Sequence, residues 1–276
     1  MKKILCMLLT VLLLLSCTAC GGDSGQDRLA LIKERGYITL CTEPYFAPYE
    51  FVDPSKTGDA QYVGMDIEIA QYIADKIGVE LQIVPLDFTA VLAGVADGKY
   101  DMAISAMAYD PTRAAAMNLS QVYYSDGTGY GLLVRAGDAG KYESIESLQN
   151  AVVITQSGSV QESIYKDQVN GACKEFKLVA NMTDAYLAVA ENKADVCICD
   201  ASSAQLYADA NGGLVVADFR FEVDPNMSGT VVGLPPKGTD GLMEVVNDCL
   251  TELKDSGQIA AWYAEYAEYA AGLGVQ

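Results

Sequence analysis

The chain has 276 residues, with 18 lysines and arginines against 37 aspartates and glutamates, no histidine, and a formal net charge of −19. That balance argues against nucleic acid, which is bound largely through basic contacts to phosphate, and it suits a self-solubilising surface. The missing histidine removes Ser-His-Asp and Cys-His catalysis in their usual forms, and histidine metal ligation with them.

The chain begins "MKKILCMLLTVLLLLSCTACGGDSGQD". A basic pair, Lys2 and Lys3, precedes an apolar run from Ile4 to Leu15. The run is short for a membrane span and has the layout of a secretory signal. A small residue before a cysteine, then Gly-Gly and a polar stretch, resembles a bacterial lipoprotein signal, in which that cysteine becomes the lipidated first residue. Cys17 and Cys20 both qualify. Ala19 before it and Gly21-Gly22 after it favour Cys20, although Cys17 is then an unusual residue three positions upstream. Residues 1–19 are read as the signal and 20–35 as a lipid-anchored tether. Five cysteines follow: Cys41, Cys173, Cys197, Cys199 and Cys249, with no C-x-x-C pair. An odd count admits one disulfide without fixing its partners; buried free thiols are the expectation. Cys197 and Cys199 fall on one face of a predicted strand.

The segment "YITLCTE" (37–43) alternates as a strand. In "GMDIEIAQYIADKIG" (64–78), Ile69, Tyr72, Ile73 and Ile77 recur at helical spacing and Gly78 is a plausible stop. A strand (79–85), a helix (88–98) and a strand (100–107) complete a β-α-β-α-β order, which implies an α/β lobe on a largely parallel sheet. The Gly-rich "YYSDGTGYGLLV" (123–134) reads as a hinge crossing. The pattern then restarts, with strands at 151–156, 175–180 and 194–200, a loop running into a helix over 157–169, and helices at 183–193 and 201–212. A second crossing lies near 223–238, and two helices (242–253 and 258–272) end the chain. The lobes are placed at 36–125 with 230–276, and at 126–229 including the crossings.

Parallel α/β sheets present ligand sites at the carboxyl ends of their strands. Four such ends carry unusual residues. They are Glu43, the stretch from Ser105 to Arg113, the loop "QSGSVQ" (156–161), and Asp200 closing "ADVCICD". Arginine holds a carboxylate bidentately, and a Gly-Ser loop opening a helix offers backbone N–H groups to the same anion. Asp200 is equally a helix N-cap or the seat of an ammonium. An arginine in one lobe and an aspartate in the other would grip both ends of a zwitterion, and the lobes would close on it about a hinge.

"CTEPYFAPYEF", "YVGMDIEIAQYIADKIG", "LDFTAVLAGVADGKYDMAISAM", "NLSQVYY", "ESLQNAVVITQSGSVQESIY", "ADVCICD" and "GLPPKGTDGLMEVVNDCLTELKDSGQIAAWYAEY" follow one another in order. Together, over about residues 29–270, they resemble the extracellular solute-binding proteins of family 3, the polar amino-acid receptors of ABC importers. The resemblance implies a two-lobed periplasmic-binding-protein fold of type II, α/β throughout, with a two-strand hinge. It also implies a monomer held outside the plasma membrane by its lipid anchor and partnered with the importer's permease. It implies no cofactor, no metal and no catalysis. Residue by residue, it assigns Arg113 to the ligand carboxylate and Asp200 to its ammonium. Ser159 and Val160 become backbone donors to the carboxylate, and Ser105 and Ala106 a strand end whose backbone meets the ligand. Phe46 and Phe88 become the aromatic walls around the side chain, and Glu43 an acid at its far end. The sequence departs from the pattern at Ala108, often a hydroxyl residue; at "DPTR", where Asp110 is free to pair with Arg113; and at Cys199, often polar.

An acidic pocket without a second basic residue favours a polar neutral or basic amino acid over glutamate or aspartate. Two other functions compete. Some relatives of the family are dehydratases of cyclohexadienyl acids, in which a carboxylate acts as general acid. Sensory amino-acid-binding domains also share the fold, but usually continue into membrane and cytoplasmic modules, and this sequence stops at Gln276.

Overall fold

The computed structural model describes residues 27–274; the signal expected over residues 1–19 and the lipidation expected at Cys20 lie outside them. Two five-stranded sheets carry the architecture. The first runs in the order β5 (Glu80–Pro85), β1 (Tyr37–Thr42), β6 (Met102–Ala103), β13 (Gly233–Leu234), β7 (Asn118–Leu119). The second runs β10 (Glu175–Val179), β9 (Val152–Gln156), β11 (Val196–Asp200), β8 (Tyr130–Arg135), β12 (Leu214–Arg220). A small antiparallel sheet, β2 (Tyr45–Phe46), β3 (Glu50–Val52) and β4 (Tyr62–Val63), sits on the first lobe.

In each large sheet the strands that alternate with helices pair in parallel: β1 with β5 and β6, and β9 with β10 and β11. The strands on either side of a lobe crossing, β8, β12 and β13, pair antiparallel. The two crossings run side by side. Thr230 bridges both Ala108 and Tyr124, and the Phe221 N–H donates to the Tyr130 carbonyl at 2.9 Å.

Residues 28–35, expected within the tether, instead form α1 (Arg28–Arg35). Asp27 caps it through Leu29, and Gly36 ends it in the left-handed conformation. Ile32 enters the core fully buried, a burial that stabilises by roughly 2 kcal/mol. Arg28 and Arg35 reach the buried Asp101, which also accepts from the Thr39 N–H and hydroxyl at 2.7 Å each. The apolar positions of "RLALIKER" are too few to announce a helix by periodicity; the arginines meeting Asp101 complete the docking.

α2 (Met65–Ile77) starts at Gly64 and stops at Gly78, as its spacing predicts. Gly64 has no alternative: a Cβ there would stand 2.2 Å from the Tyr49 carbonyl oxygen. α3 (Phe88–Ala96), α4 (Pro111–Ala116), α8 (Asp240–Asp255) and α9 (Gln258–Leu273) belong to the same lobe. The face of α8 formed by Leu242, Val246, Cys249, Leu250 and Leu253 is buried against α2 and β1 residues. The second lobe has α5 (Val160–Ile164), which widens into a π turn at Tyr165–Val169, then α6 (Met182–Ala190) and α7 (Ala201–Asn211). The five described cysteines are free thiols, and Cys197 and Cys199 pack together in one cluster with Met182, Tyr186 and Ala204.

Two differences from the sequence reading have local causes. The strand expected over 100–107 shortens to β6, because Ala106 turns to φ +45° and gives its N–H to Asp66 at 2.7 Å rather than to a neighbouring strand. The apolar run of β12, between a helix and a crossing, joins the second sheet as its edge.

Candidate functional site

The carboxyl ends of β1, β6, β9 and β11 all open on one cleft between the lobes. The nine residues singled out from the sequence, Glu43, Phe46, Phe88, Ser105, Ala106, Arg113, Ser159, Val160 and Asp200, all line it.

Arg113 projects from the short helix α4, which begins with Pro111 at its first position. The helix is capped by Asp110, which accepts from the Thr112 N–H at 2.7 Å and from the Thr112 hydroxyl. Asp110, which the sequence left free to pair with Arg113, therefore hydrogen-bonds its own cap and forms no ion pair with Arg113, although its charge still acts on the guanidinium. The guanidinium is buried, and burial pulls its pKa down. No carboxylate forms an ion pair with it among the described residues. It donates to the Ala108 carbonyl at 2.6 Å and, across the lobes, to the Gly158 carbonyl at 2.9 Å. It also lies 5.3 Å from the centroid of the Phe88 ring, a cation–π contact. A guanidinium has five N–H donors, so two bonds leave capacity for an anion.

The "SGS" loop is held in shape from below. Gly158 donates to the Glu162 carboxylate at 2.6 Å, and Ser157 to the Val179 carbonyl at 2.9 Å. The Ser159 side chain caps α5, accepting from Glu162 and donating to the Gln156 carbonyl at 2.7 Å. Helix geometry leaves the N–H of Val160, in the first turn, without an intrahelical acceptor.

Asp200 ends β11 and caps α7, with one oxygen accepting from the Ser203 N–H at 3.0 Å and the Ser202 hydroxyl at 2.8 Å. It therefore fills the capping role and lines the cleft as well. Protein surrounds it although part stays reachable by solvent. Burial foremost, and then the Asp126 carboxylate, raise its pKa, while the Ser203 and Ser202 bonds oppose the rise.

At the opposite wall Glu43 is 3% exposed. One carboxyl oxygen accepts from Gln156 of the other lobe at 2.8 Å; the second is buried without a partner among the described residues. Burial raises its pKa from 4.5 to about 8; the Gln156 bond opposes this, and Asp87 and Asp184 add to it by repulsion. Behind it, Ser105 accepts from the Glu43 N–H at 3.0 Å and donates to the fully buried Glu50 at 2.9 Å. The Ala106 N–H is committed to Asp66, so that donor is not available at the strand end. Ala106 holds its left-handed conformation at a local cost of about 1–3 kcal/mol. Phe46 stacks on Tyr49 with centroids 5.7 Å apart and packs against clusters of both lobes.

Gln156, singled out only as the start of the loop and given no role, and Asp126 and Tyr130, not singled out at all, also line the cleft. Gln156 was legible in principle as the last residue of a parallel strand. Asp126 and Tyr130 sit on the hinge crossing, where composition announces a turn and nothing more.

Residues 38–269 match the family model described as bacterial extracellular solute-binding proteins, family 3. The arginine-binding extracellular protein ArtP of Bacillus subtilis is 25% identical over 94% of this chain and 95% of its own length. A solved amino acid ABC transporter substrate-binding protein from Streptococcus pneumoniae, bound to L-arginine, is 32% identical. It covers 88% of this chain and 98% of its own, with a TM-score of 0.81. The cyclohexadienyl dehydratase of Pseudomonas aeruginosa is 23% identical over 66% of this chain and 65% of its own length.

Proposed function

The chain belongs to family 3 of the bacterial extracellular solute-binding proteins, and from that premise we propose that it is the lipid-anchored receptor of an ABC importer for a basic amino acid. Its place is outside the cytoplasmic membrane, where the family works. Cys20 carries the lipid, and the permease receives the cargo from the closed lobes.

The observation that carries this reading is Arg113. A permanent cation buried at a lobe interface, facing carbonyls rather than a carboxylate, is an incomplete charge that a ligand carboxylate completes. The Val160 N–H supports the same anion. Asp200, in the other lobe from Arg113, takes the ammonium. A basic side chain is favoured over a neutral one by Glu43, whose unpartnered oxygen stands among Asp87 and Asp184. The relatives from Bacillus and Streptococcus are named for arginine or bound to it, which agrees.

The test is a calorimetric titration of the purified protein, after exhaustive removal of carried ligand, with each common amino acid. Arginine or lysine binds at micromolar affinity or tighter and glutamate does not. Saturable binding of glutamate in their place overturns the basic side chain, and binding of no amino acid overturns the receptor.

A dehydratase reading has one observation in its favour. Burial raises the Glu43 pKa to about 8, toward the protonated state a general acid needs. Appearance of an aromatic product from a cyclohexadienyl acid, lost in Glu43→Gln, would establish it; the receptor forms none.

A further inference from the structure

Asp126 lies on the first hinge crossing, between the Tyr124–Thr230 bridge and the start of β8. Its Oδ1 accepts from the Thr128 N–H at 2.9 Å and from the Thr128 hydroxyl at 2.8 Å. That is an ordinary Asx turn, and it accounts for one oxygen only. Oδ2 is shut away from water and has no hydrogen-bond partner among the described residues. A buried carboxylate oxygen left unpaired costs about 1–3 kcal/mol or more, and nothing in the turn requires it.

Asp126 lines the same cleft as Asp200 and Arg113. Tyr49, Tyr124, Tyr130 and Tyr263 stand around it, with Tyr124 stacked on Tyr263 at 4.5 Å and Tyr49 5.5 Å from Tyr263. All four phenols are pushed up, chiefly by burial, and each also feels both carboxylates. The Tyr130 hydroxyl feels Arg113 as well. Tyr130 is thus within electrostatic reach of one cation and two carboxylates. No lysine or arginine of the described residues forms an ion pair with Asp126 or Asp200.

We infer that Asp126 is a second anchor for the ligand's α-ammonium, so that the hinge and the second lobe hold that group between two carboxylates while Arg113 holds the carboxylate. The inference rests on the receptor reading and deepens it. An ammonium carries three N–H donors, and a single carboxylate oxygen of Asp200 leaves donors unused. The arrangement has a consequence for selectivity. One ammonium between two carboxylates leaves the head-group site with a negative excess, which rejects a second anion on the ligand and tolerates a cationic side chain. Because Asp126 sits on the crossing itself, the lobes' rigid-body motion moves it less than residues far from the axis.

The test compares L-arginine with des-amino arginine, which lacks only the α-ammonium, on the full-length protein and on Asp126→Asn. The amide keeps an acceptor for Thr128 and removes the charge. D126N weakens L-arginine by about tenfold or more, the scale of a charge-assisted hydrogen bond. Des-amino arginine changes by less than about twofold, and the ligand-free melting temperature stays level or rises as the two carboxylates cease to repel. Asp126→Ser, which also retains a short acceptor, repeats the comparison should the amide disturb the turn. Unchanged arginine binding in a folded variant, or an equal loss for both compounds, overturns the second anchor and leaves the receptor standing. Failure of the wild type to bind any amino acid overturns the receptor itself.

Discussion

Two buried charge sites in the first lobe are built in opposite ways. Asp101 is a carboxylate with all its needs met: two arginines, a backbone N–H and a hydroxyl converge on it. Arg113 is a guanidinium that finds two carbonyls and a ring face, with Asp110 acting on it from a distance and no acid in an ion pair with it among the described residues. Both are enclosed, so solvent explains neither difference. Desolvating a charge is repaid only when the partner geometry is complete. The complete site therefore belongs to the fold, and on the proposed receptor reading the incomplete one is left for the ligand. The same contrast separates Asp53, tied to Ser55, Lys56 and Tyr269, from Glu43 and Asp126, each with one oxygen buried and unpartnered.

If the contrast is right, the largest effect on stability comes from Asp101. Asp101→Ala leaves two arginines without their acid, and breaking such a buried pair costs about 3–5 kcal/mol. Chemical denaturation should show that loss, while the protein that remains folded binds ligand with wild-type affinity. An Asp101 variant as stable as the wild type would erase the distinction.

The second effect is on binding rather than folding. Arg113→Ala should weaken the ligand by about 2–5 kcal/mol, the usual cost of truncating one partner of a buried hydrogen-bonded charge pair. Its denaturation midpoint in the absence of ligand should hold or rise, because an undercompensated cation is gone. Calorimetry and denaturation on the same sample separate the two readouts. Loss of stability comparable to that of Asp101→Ala would mean that Arg113 serves the fold.

Sequence and structure agree best where period and partner are local. The helix over 64–78 and the strand at 37–43 were legible because apolar spacing and flanking glycines act within a few residues. Strand ends were legible too, since alternation of strands and helices places them at one edge of a sheet. What sequence could not show was the direction in which polar groups spend their bonds. Asp110 stands three residues before Arg113, yet its carboxylate turns to Thr112. The Ala106 N–H, at a strand end facing the cleft, turns away to Asp66, which lies forty positions earlier in the chain. α1 escaped notice because its partner acid, Asp101, is distant in sequence.

A third test uses protons. Glu43 has its pKa raised from 4.5 to about 8, so the folded state holds a proton that the unfolded chain has released. Stability from this group is complete below 4.5 and falls as pH rises toward about 8, since the unfolded state binds fewer protons there. The melting temperature of ligand-free protein should fall over that window, and Glu43→Gln should flatten the decline. Affinity for a basic ligand runs the other way. The cation favours ionised Glu43, so binding strengthens with pH and releases a proton, detectable as a dependence of the apparent enthalpy on buffer. Identical heats in buffers of different ionisation enthalpy would remove Glu43 from the ligand's side-chain end.

The smallest effect concerns closure. Gly158 lies in the second lobe at φ +77°, and a Cβ there would stand 3.1 Å from the Thr89 methyl carbon of α3 in the first. Gly158→Ala therefore meets two penalties. The left-handed backbone costs about 1–2 kcal/mol for a residue with a Cβ, and this applies whether the lobes are apart or together, so it appears in stability. The approach to Thr89 exists only when the lobes meet, so it appears in affinity, as a loss of about fivefold, near 1 kcal/mol. Thr89→Ala in the Gly158→Ala background should restore most of the affinity and none of the stability, because it removes the contact and leaves the backbone strained. Such a cycle isolates the pairwise contact. Equal recovery of both quantities would place the contact in the open form as well, and Gly158 would then be a requirement of its own loop and not of the meeting of the lobes.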